Sequence, residues 1–288
     1  MRDKSLTLGT EPYHSHLQQI IASFHDHRGR VLIAAHRGDW RLAPENSLAA
    51  IQYSIVAGAD LIEIDVQRTA DGQLVLMHDE TVDRMTNGSG RVAEMTLEQL
   101  RALRLRQHQG GHDQRLTNYM IPTLEEVMIL ARDKVMINLD KCWAWRDDVY
   151  AVLLRTDTVA QTVFKSTAEP EEVHSFLNHK PQKPLYMHIL DDSNEHHVER
   201  IGECCEMVRP EAVEICFEQE NSRLLQPSLL QRIQQYGCRL WVNTMWDSLC
   251  GGHSELHGAE GWEWQLQHGF NMIQTDNAGM LRRYLDEQ

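Results

Sequence analysis

Short apolar, β-branched runs recur through the whole 288-residue chain, and helical patterns separate several of them. The runs are Val31–Ala35, Leu61–Val66, Leu74–Met77, Val135–Asp140, Thr162–Lys165, Leu185–Ile189, Ala212–Phe217, Arg239–Asn243 and Met272–Thr275. Among the helical patterns, Ser47–Ala57 has Ser47 as N-cap, Leu48, Ile51 and Ile55 on one face, and Gly58 as its stop. Thr123–Ala131 starts after Pro122, and Ser228–Tyr236 ends at Gly237. Strands alternating with helices build βαβ units around a parallel sheet. No proline-glycine linker, composition break or repeat divides the chain. Eight or more such units in one undivided chain favour an α/β fold of the (β/α)8 TIM-barrel type, which runs to about 250 residues as a single domain.

Nine runs for eight places leave one outside the closed barrel. Leu74–Met77 is the odd one, because it follows the tight-turn dipeptide Asp71–Gly72 and reads as the return arm of a hairpin. Residues 79–120, rich in Gly, Asn, His and Arg, are too long for an ordinary connection and read as a small insertion over the barrel mouth, with one helix at Thr96–Leu105. Residues 1–30 read as a helical or irregular extension, and 31–288 as one barrel domain.

Charge narrows the partners. With 28 basic against 42 acidic residues the chain carries a formal −14, which argues against nucleic acid and against stable association with an anionic membrane. No apolar run approaches the ~20 residues of a membrane span. Residues 1–29 have no apolar core and contain His14, His16, His25 and His27, unlike a secretory signal. Six cysteines, with an adjacent Cys204–Cys205 pair and no CxxC, fit neither a disulfide framework nor a zinc knuckle. The expectation is a cytoplasmic protein acting on a small molecule.

Three clusters sit at C-terminal ends of strand candidates, where barrel enzymes place their chemistry. His36-Arg37-Gly38 offers a proton-transfer group, a bidentate oxyanion clamp and a glycine permitting close backbone approach, although such a tripeptide alone is more often a surface turn. Glu63 and Asp65 share one strand face, and two buried anions side by side call for a proton or a hard cation. His78-Asp79 ends the hairpin arm, placing His78 beside Asp65.

Residues 34–79 read AHRG, PEN and EIDVQRTADGQLVLMHD in order. That stretch resembles the glycerophosphodiester phosphodiesterase family, itself similar in fold to phosphoinositide phospholipases C. The likeness continues through Thr86-Asn87-Gly88, Ile121-Pro122-Thr123-Leu124, Trp241-Val242-Asn243 and Ile273-Gln274-Thr275-Asp276. The resemblance implies a metal-dependent phosphodiesterase with His36 and His78 as general acid and base. It gives Arg37 a non-bridging phosphate oxygen, makes Glu63 and Asp65 metal ligands, and leaves Glu45 and Asn46 as supports. The implied cofactor is Mg²⁺ or Ca²⁺, with Mn²⁺ as an alternative.

The chain departs from the family at its fourth strand, where relatives usually end Glu-Ile-Lys. Asn138-Leu139-Asp140 puts Asp140 in the third carboxylate position and Cys142 where the lysine belongs. Lys165, ending the next strand, is expected to take over the phosphate contact. Trp241 is expected to pack the glycerol carbons, with Trp246 as the alternative and barrel core an equal reading for either. Asp276 is expected to orient side chains rather than bind metal. His253 and His257 are helix-spaced, but flanking glycines read as a polar loop. The expected reaction is hydrolysis of a glycerophosphodiester to glycerol 3-phosphate and an alcohol. A lysophospholipid or phosphoinositol diester, or a barrel that binds phosphorylated ligands without turnover, stands as the alternative.

Overall fold

The computed structural model describes residues 11–193 and 195–288, with side chains from residue 15 onward except 195–197. Of the expected N-terminal extension, residues 1–10 therefore lie outside the described range. Among the described residues nine strands form, in the order β1 (Leu32–His36), β2 (Leu61–Arg68), β3 (Leu74–Leu76), β4 (Met136–Asp140), β5 (Thr162–Ser166), β6 (Leu185–Asp191), β7 (Ala212–Cys216), β8 (Arg239–Asn243) and β9 (Met272–Thr275). All but β3 are parallel neighbours, and β1 pairs with both β2 and β9, so eight strands close into a TIM barrel. β3 returns antiparallel on β2, pairing Val66 with Leu76 and Arg68 with Leu74, as the tight turn predicts. Gly72 supplies that turn's positive φ of 79°.

Strand parity divides the barrel into two cores. Outward residues such as Ile33, Ile62, Ile64, Ile137, Leu139, Val213, Leu240 and Ile273 pack against the surrounding helices. Inward residues Leu32, Ala34, Leu61, Met136, Val163, Met187, Ala212, Trp241 and Met272 fill the lower interior. The helix Glu11–His25 closes that lower end. Its Leu17, Ile20 and Phe24, spaced as one helical stripe, belong to the same inner cluster. Arg239, fully buried, donates to the carbonyls of Phe24 (3.2 Å), Asp26 (2.7 Å), Arg30 (3.1 Å) and Asn271 (3.1 Å). These include carbonyls that the helix end leaves without partners of its own. The helix within the segment read as an extension is thus a plug built into the barrel.

Residues 79–120 carry a small core of their own. Val82, Met85, Val92, Leu100 and Leu105 pack with Val75, Met77 and Ile121. The helix there is shorter than expected, Leu97–Ala102, and opens on a capping box between Thr96 and Gln99. The insertion flanks the mouth on the β1 side: Glu45 N–H donates to the His108 carbonyl at 2.9 Å. Among the described residues no helix is long and apolar enough to cross a membrane.

Candidate active site

β1 ends in a backbone built for close approach. Arg37 and Gly38 take φ of 55° and 81°, and a Cβ at Gly38 would come within 2.8 Å of the Ala50 backbone carbon in the next helix. Asn46, at φ 56°, donates to the Arg37 carbonyl at 2.9 Å and folds the Pro44-Glu45-Asn46 loop back under the mouth. Strained left-handed backbone of this kind persists only where its surroundings over-determine it. Here the loop holds two groups: Asn46 exchanges hydrogen bonds with Asp65 (2.9 Å to its carboxylate, 3.2 Å from its backbone N–H), and Glu45 pairs with Arg37 at 3.2 Å. Glu45 and Asn46 sit where supporting residues would.

Parallel register places the chemistry side by side. His36 lies across from Glu63 on β1 and β2, and Asp65 across from Asp140 on β2 and β4. With Lys165 of β5 and His78 after β3 these residues line one cleft of about 150 Å³. Glu214, Asn243, Met245, Trp246, Leu249 and Gln274 complete its wall.

Both histidines have Nδ1 tied to a carboxylate. His36 Nδ1 lies 2.8 Å from Asp276, which also accepts the Trp40 indole N–H at 2.7 Å. His78 Nδ1 lies 2.7 Å from Asp79. Arg84 bonds Asp79 at 2.7 Å and Glu45 at 2.6 Å, so the supports of His78 and Arg37 form one network. Arg84 holds the Asp79 carboxyl well below the usual carboxylate range. A carboxylate on Nδ1 fixes ring and tautomer, leaving Nε2 as the nitrogen that can exchange a proton.

Glu63, Asp65 and Asp140 bring carboxylate oxygens within 4.8 Å of one another. Burial, then the charge of Asp65, pushes the Glu63 carboxyl well above its ordinary range, although Lys165 and Arg37 partly offset it. Among the lining residues, Glu63, Asp65, Asp140 and Glu214 face only Arg37 and Lys165. One divalent cation would cancel the two-charge difference, and an all-oxygen donor set suits Mg²⁺, Ca²⁺ or Mn²⁺. The residues present therefore fit the ion.

Lys165 is buried in the mouth, 2.9 Å from Asp140 and 3.2 Å from Glu214. Burial works against its charge, but these carboxylates outweigh it and hold the ammonium protonated well above the usual lysine range. Cys142 lies elsewhere. Lys141 turns the chain at φ 57°, and Cys142 enters the outer core with its thiol 3.8 Å from the Leu139 carbonyl.

One expectation is corrected. Trp241 does not reach the cleft: β8 parity points it inward two residues below Asn243, where it is 0% exposed and donates to Asn243 Oδ1 at 2.9 Å. Trp246, beyond the strand end and 42% exposed, is the tryptophan in the wall, edge-on to His36 with ring centres 5.5 Å apart. His253 and His257 diverge onto Glu220 and Asp247, with no shared ligand position. Sequence reasoning also missed Glu214. Its signal was a lone charge within Ala212–Phe217, at the inward parity shared with Ala212.

The family model for glycerophosphoryl diester phosphodiesterases matches residues 36–280, from His36 into the final helix. The chain belongs to that family. A glycerophosphodiester phosphodiesterase of Caldanaerobacter subterraneus is 46% identical over 112 residues, covering 38% of this chain and 45% of that one. The match thus spans less than half of that curated relative's length. A glycerophosphoryl diester phosphodiesterase structure from Parabacteroides distasonis superimposes with a TM-score of 0.75 over 94% of this chain and 92% of its own, at 22% identity. A phosphodiesterase from Oleispira antarctica, solved with the product sn-glycerol-3-phosphate, gives 0.66 over 89% and 97%, at 20% identity. These two likenesses support the glycerophosphodiester phosphodiesterase barrel as a fold.

Proposed function

We propose that the protein hydrolyses glycerophosphodiesters to glycerol 3-phosphate and an alcohol, with a divalent cation on Glu63, Asp65 and Asp140 and with His36 and His78 moving the protons. The observation that carries this reading is the three-carboxylate cluster sharing one cleft with two histidines, each with Nδ1 on its own carboxylate. Family membership and the product held by the Oleispira antarctica relative support the same substrate class.

A bound cation would supply positive charge against the phosphate oxygens as the pentacoordinate transition state develops. Arg37, held by Glu45, takes a non-bridging oxygen, and Lys165 contributes the second cation from the β5 side. One histidine accepts the proton of the attacking hydroxyl at Nε2 as the new P–O bond forms. The other gives its Nε2 proton to the departing alkoxide as the old P–O bond breaks. Two histidines suit this exchange because imidazole is populated in both protonation states near neutral pH. The attacking hydroxyl belongs either to water or to C2 of the glycerol; trapping a cyclic glycerophosphate that chases into product distinguishes the routes. Trp246 and Met245 offer an apolar wall for the substrate's carbons.

The test is hydrolysis of glycerophosphocholine, glycerophosphoethanolamine, glycerophosphoinositol and a lysophospholipid by the full chain, stripped of metal and then refilled with Mg²⁺, Ca²⁺ or Mn²⁺. Turnover restored by metal and lost in His36→Ala is the expected result. A folded protein that binds metal and substrate without turnover overturns the reading in favour of a binding barrel.

A further inference from the structure

Glu255 lies outside the cleft and outside every motif that pointed to it, yet its carboxylate is inserted into the turn that carries Asp276. It opens the short turn Glu255–His257 in the β8 loop, with its own N–H on the Thr244 carbonyl at 2.8 Å. One carboxylate oxygen accepts from the Thr275 hydroxyl and from the Asp276 backbone N–H (3.1 Å). The other accepts from the Asn277 amide at 2.6 Å. Three consecutive residues, from the last of β9 onward, thus hang on one side chain. Two residues of that turn make contacts beyond it: the Asp276 carboxylate meets His36 Nδ1 and accepts from Trp40 Nε1, and the Asn277 side-chain Oδ1 accepts from Arg41.

Among the described residues no cation pairs with Glu255. Burial, followed by the neighbouring charge of Asp276, raises its carboxyl to about 7. A half-buried anion placed without a cation beside another anion costs stability, so its place in the fold is not explained by stability. What it does explain is the aim of Asp276. With the Asp276 N–H pinned, its side chain is directed at His36 on the neighbouring strand. Without the pin, three donors lose their acceptor and the turn is free to re-aim.

We propose that Glu255 is a positioning residue for the proton-transfer step, acting through the Asp276 turn to fix the His36 imidazole. It touches neither substrate nor cation. Its contribution is to keep Nδ1 of His36 occupied, so that Nε2 is the atom presented to the reacting oxygen. The inference rests on the hydrolase reading for its catalytic meaning, but the geometric part stands without it.

Glu255→Gln preserves volume while breaking the pattern. A carboxamide has one acceptor oxygen, so its NH₂ must face either Asn277 Nδ2 or the Thr275–Asp276 pair. The experiment measures kcat and KM for wild type, Glu255→Gln, Asp276→Asn and the double variant, with Glu260→Gln as an exposed control nearby. It adds side-chain ¹⁵N-histidine spectra of the same proteins at one pH, with His36 identified from His36→Ala. The expected result is a kcat about tenfold lower in Glu255→Gln with KM within about twofold, since small misplacements of catalytic groups cost this much or more. In the Asp276→Asn background the same change should cost nothing further, and the His36 ring should pass from one tautomer to a mixture in Glu255→Gln. Unchanged kcat and tautomer in Glu255→Gln overturn the proposal. So does an equal loss with and without Asp276, which would mean an action independent of that turn. A wild type that hydrolyses no diester, but whose His36 tautomer still follows Glu255, overturns the hydrolase reading and upholds the positioning.

Discussion

His36 and Asp276 stand 240 residues apart in the chain and 2.8 Å apart in the barrel, the contact made where β9 closes onto β1. The carboxylate orients the imidazole and compensates its positive charge when it is protonated. Asp276→Asn leaves the shape intact but presents an amide whose oxygen or nitrogen can face Nδ1. We expect kcat to fall about 10²-fold with little change in KM, a loss of the size general acid–base groups contribute. Steady-state kinetics beside a thermal melt decide it; a variant with wild-type kcat would separate Asp276 from the chemistry.

Lys165 sits in the mouth between Asp140 and Glu214, whereas Cys142 is buried in the outer core. Lys165→Ala removes the proposed phosphate contact and leaves Asp140 and Glu214 without their shared cation. The expected outcome is a KM at least about tenfold higher, in line with losing a hydrogen bond to a charged group. Kinetics indistinguishable from wild type would remove Lys165 from substrate binding.

Four carboxylates against two cations make the mouth self-repelling without a metal, so a divalent ion should bind the folded state far better than the unfolded one. Mg²⁺ at about 100 times its dissociation constant should add about 2.7 kcal/mol of stability, seen as a rise in Tm over EDTA-treated protein. In Glu63→Gln the metal-free Tm should rise and the Mg²⁺ increment shrink. An equal increment in wild type and Glu63→Gln would place the ion elsewhere.

The two tryptophans of the β8 end should separate function from packing. Trp241→Ala, emptying the lower barrel, should cost about 3–5 kcal/mol of stability. Trp246→Ala should change KM with little change in Tm, because its ring is half in solvent at the cleft. Melting curves and KM values for the pair check both; a stable Trp241→Ala with raised KM would reverse the assignment.

Glu255 also predicts a pH dependence of stability. Its folded-state carboxyl, raised from 4.5 to about 7, binds protons that the unfolded chain releases. Protonated Glu255 therefore favours the fold below that window, and stability declines as pH rises from about 4.5 through 7. The effect reaches at most about 3 kcal/mol. Glu255→Gln lacks the proton and the decline, so its Tm should gain on wild type between pH 5 and pH 8. A Tm difference flat across that range would show that the carboxyl does not titrate there.

Most strands were legible within a residue or two because parallel barrel strands are buried on both faces and read as continuous apolar runs. β3 was recognisable as the extra strand from its turn dipeptide alone. The candidate residues of β1 and β2 were legible for a different reason: His36 and Arg37 stand where β1 ends, and alternation along β2 puts Glu63 and Asp65 on one face without knowledge of its neighbours. The helix Glu11–His25 was not read as part of the barrel, since its apolar stripe of Leu17, Ile20 and Phe24 acquires a partner only when eight strands have closed beneath it.

By itself the sequence determined the strand inventory, the barrel class and the ends at which reactive side chains collect, because local periodicity and residue type carry that information. Only the tertiary structure decided which tryptophan reaches the cleft, what holds Lys165, and that Asp276 and Glu255 stand behind His36. Those relations depend on register between strands and on loops meeting across the mouth, between residues tens to hundreds of positions apart. No local pattern in the chain encodes the distance between them; barrel closure does.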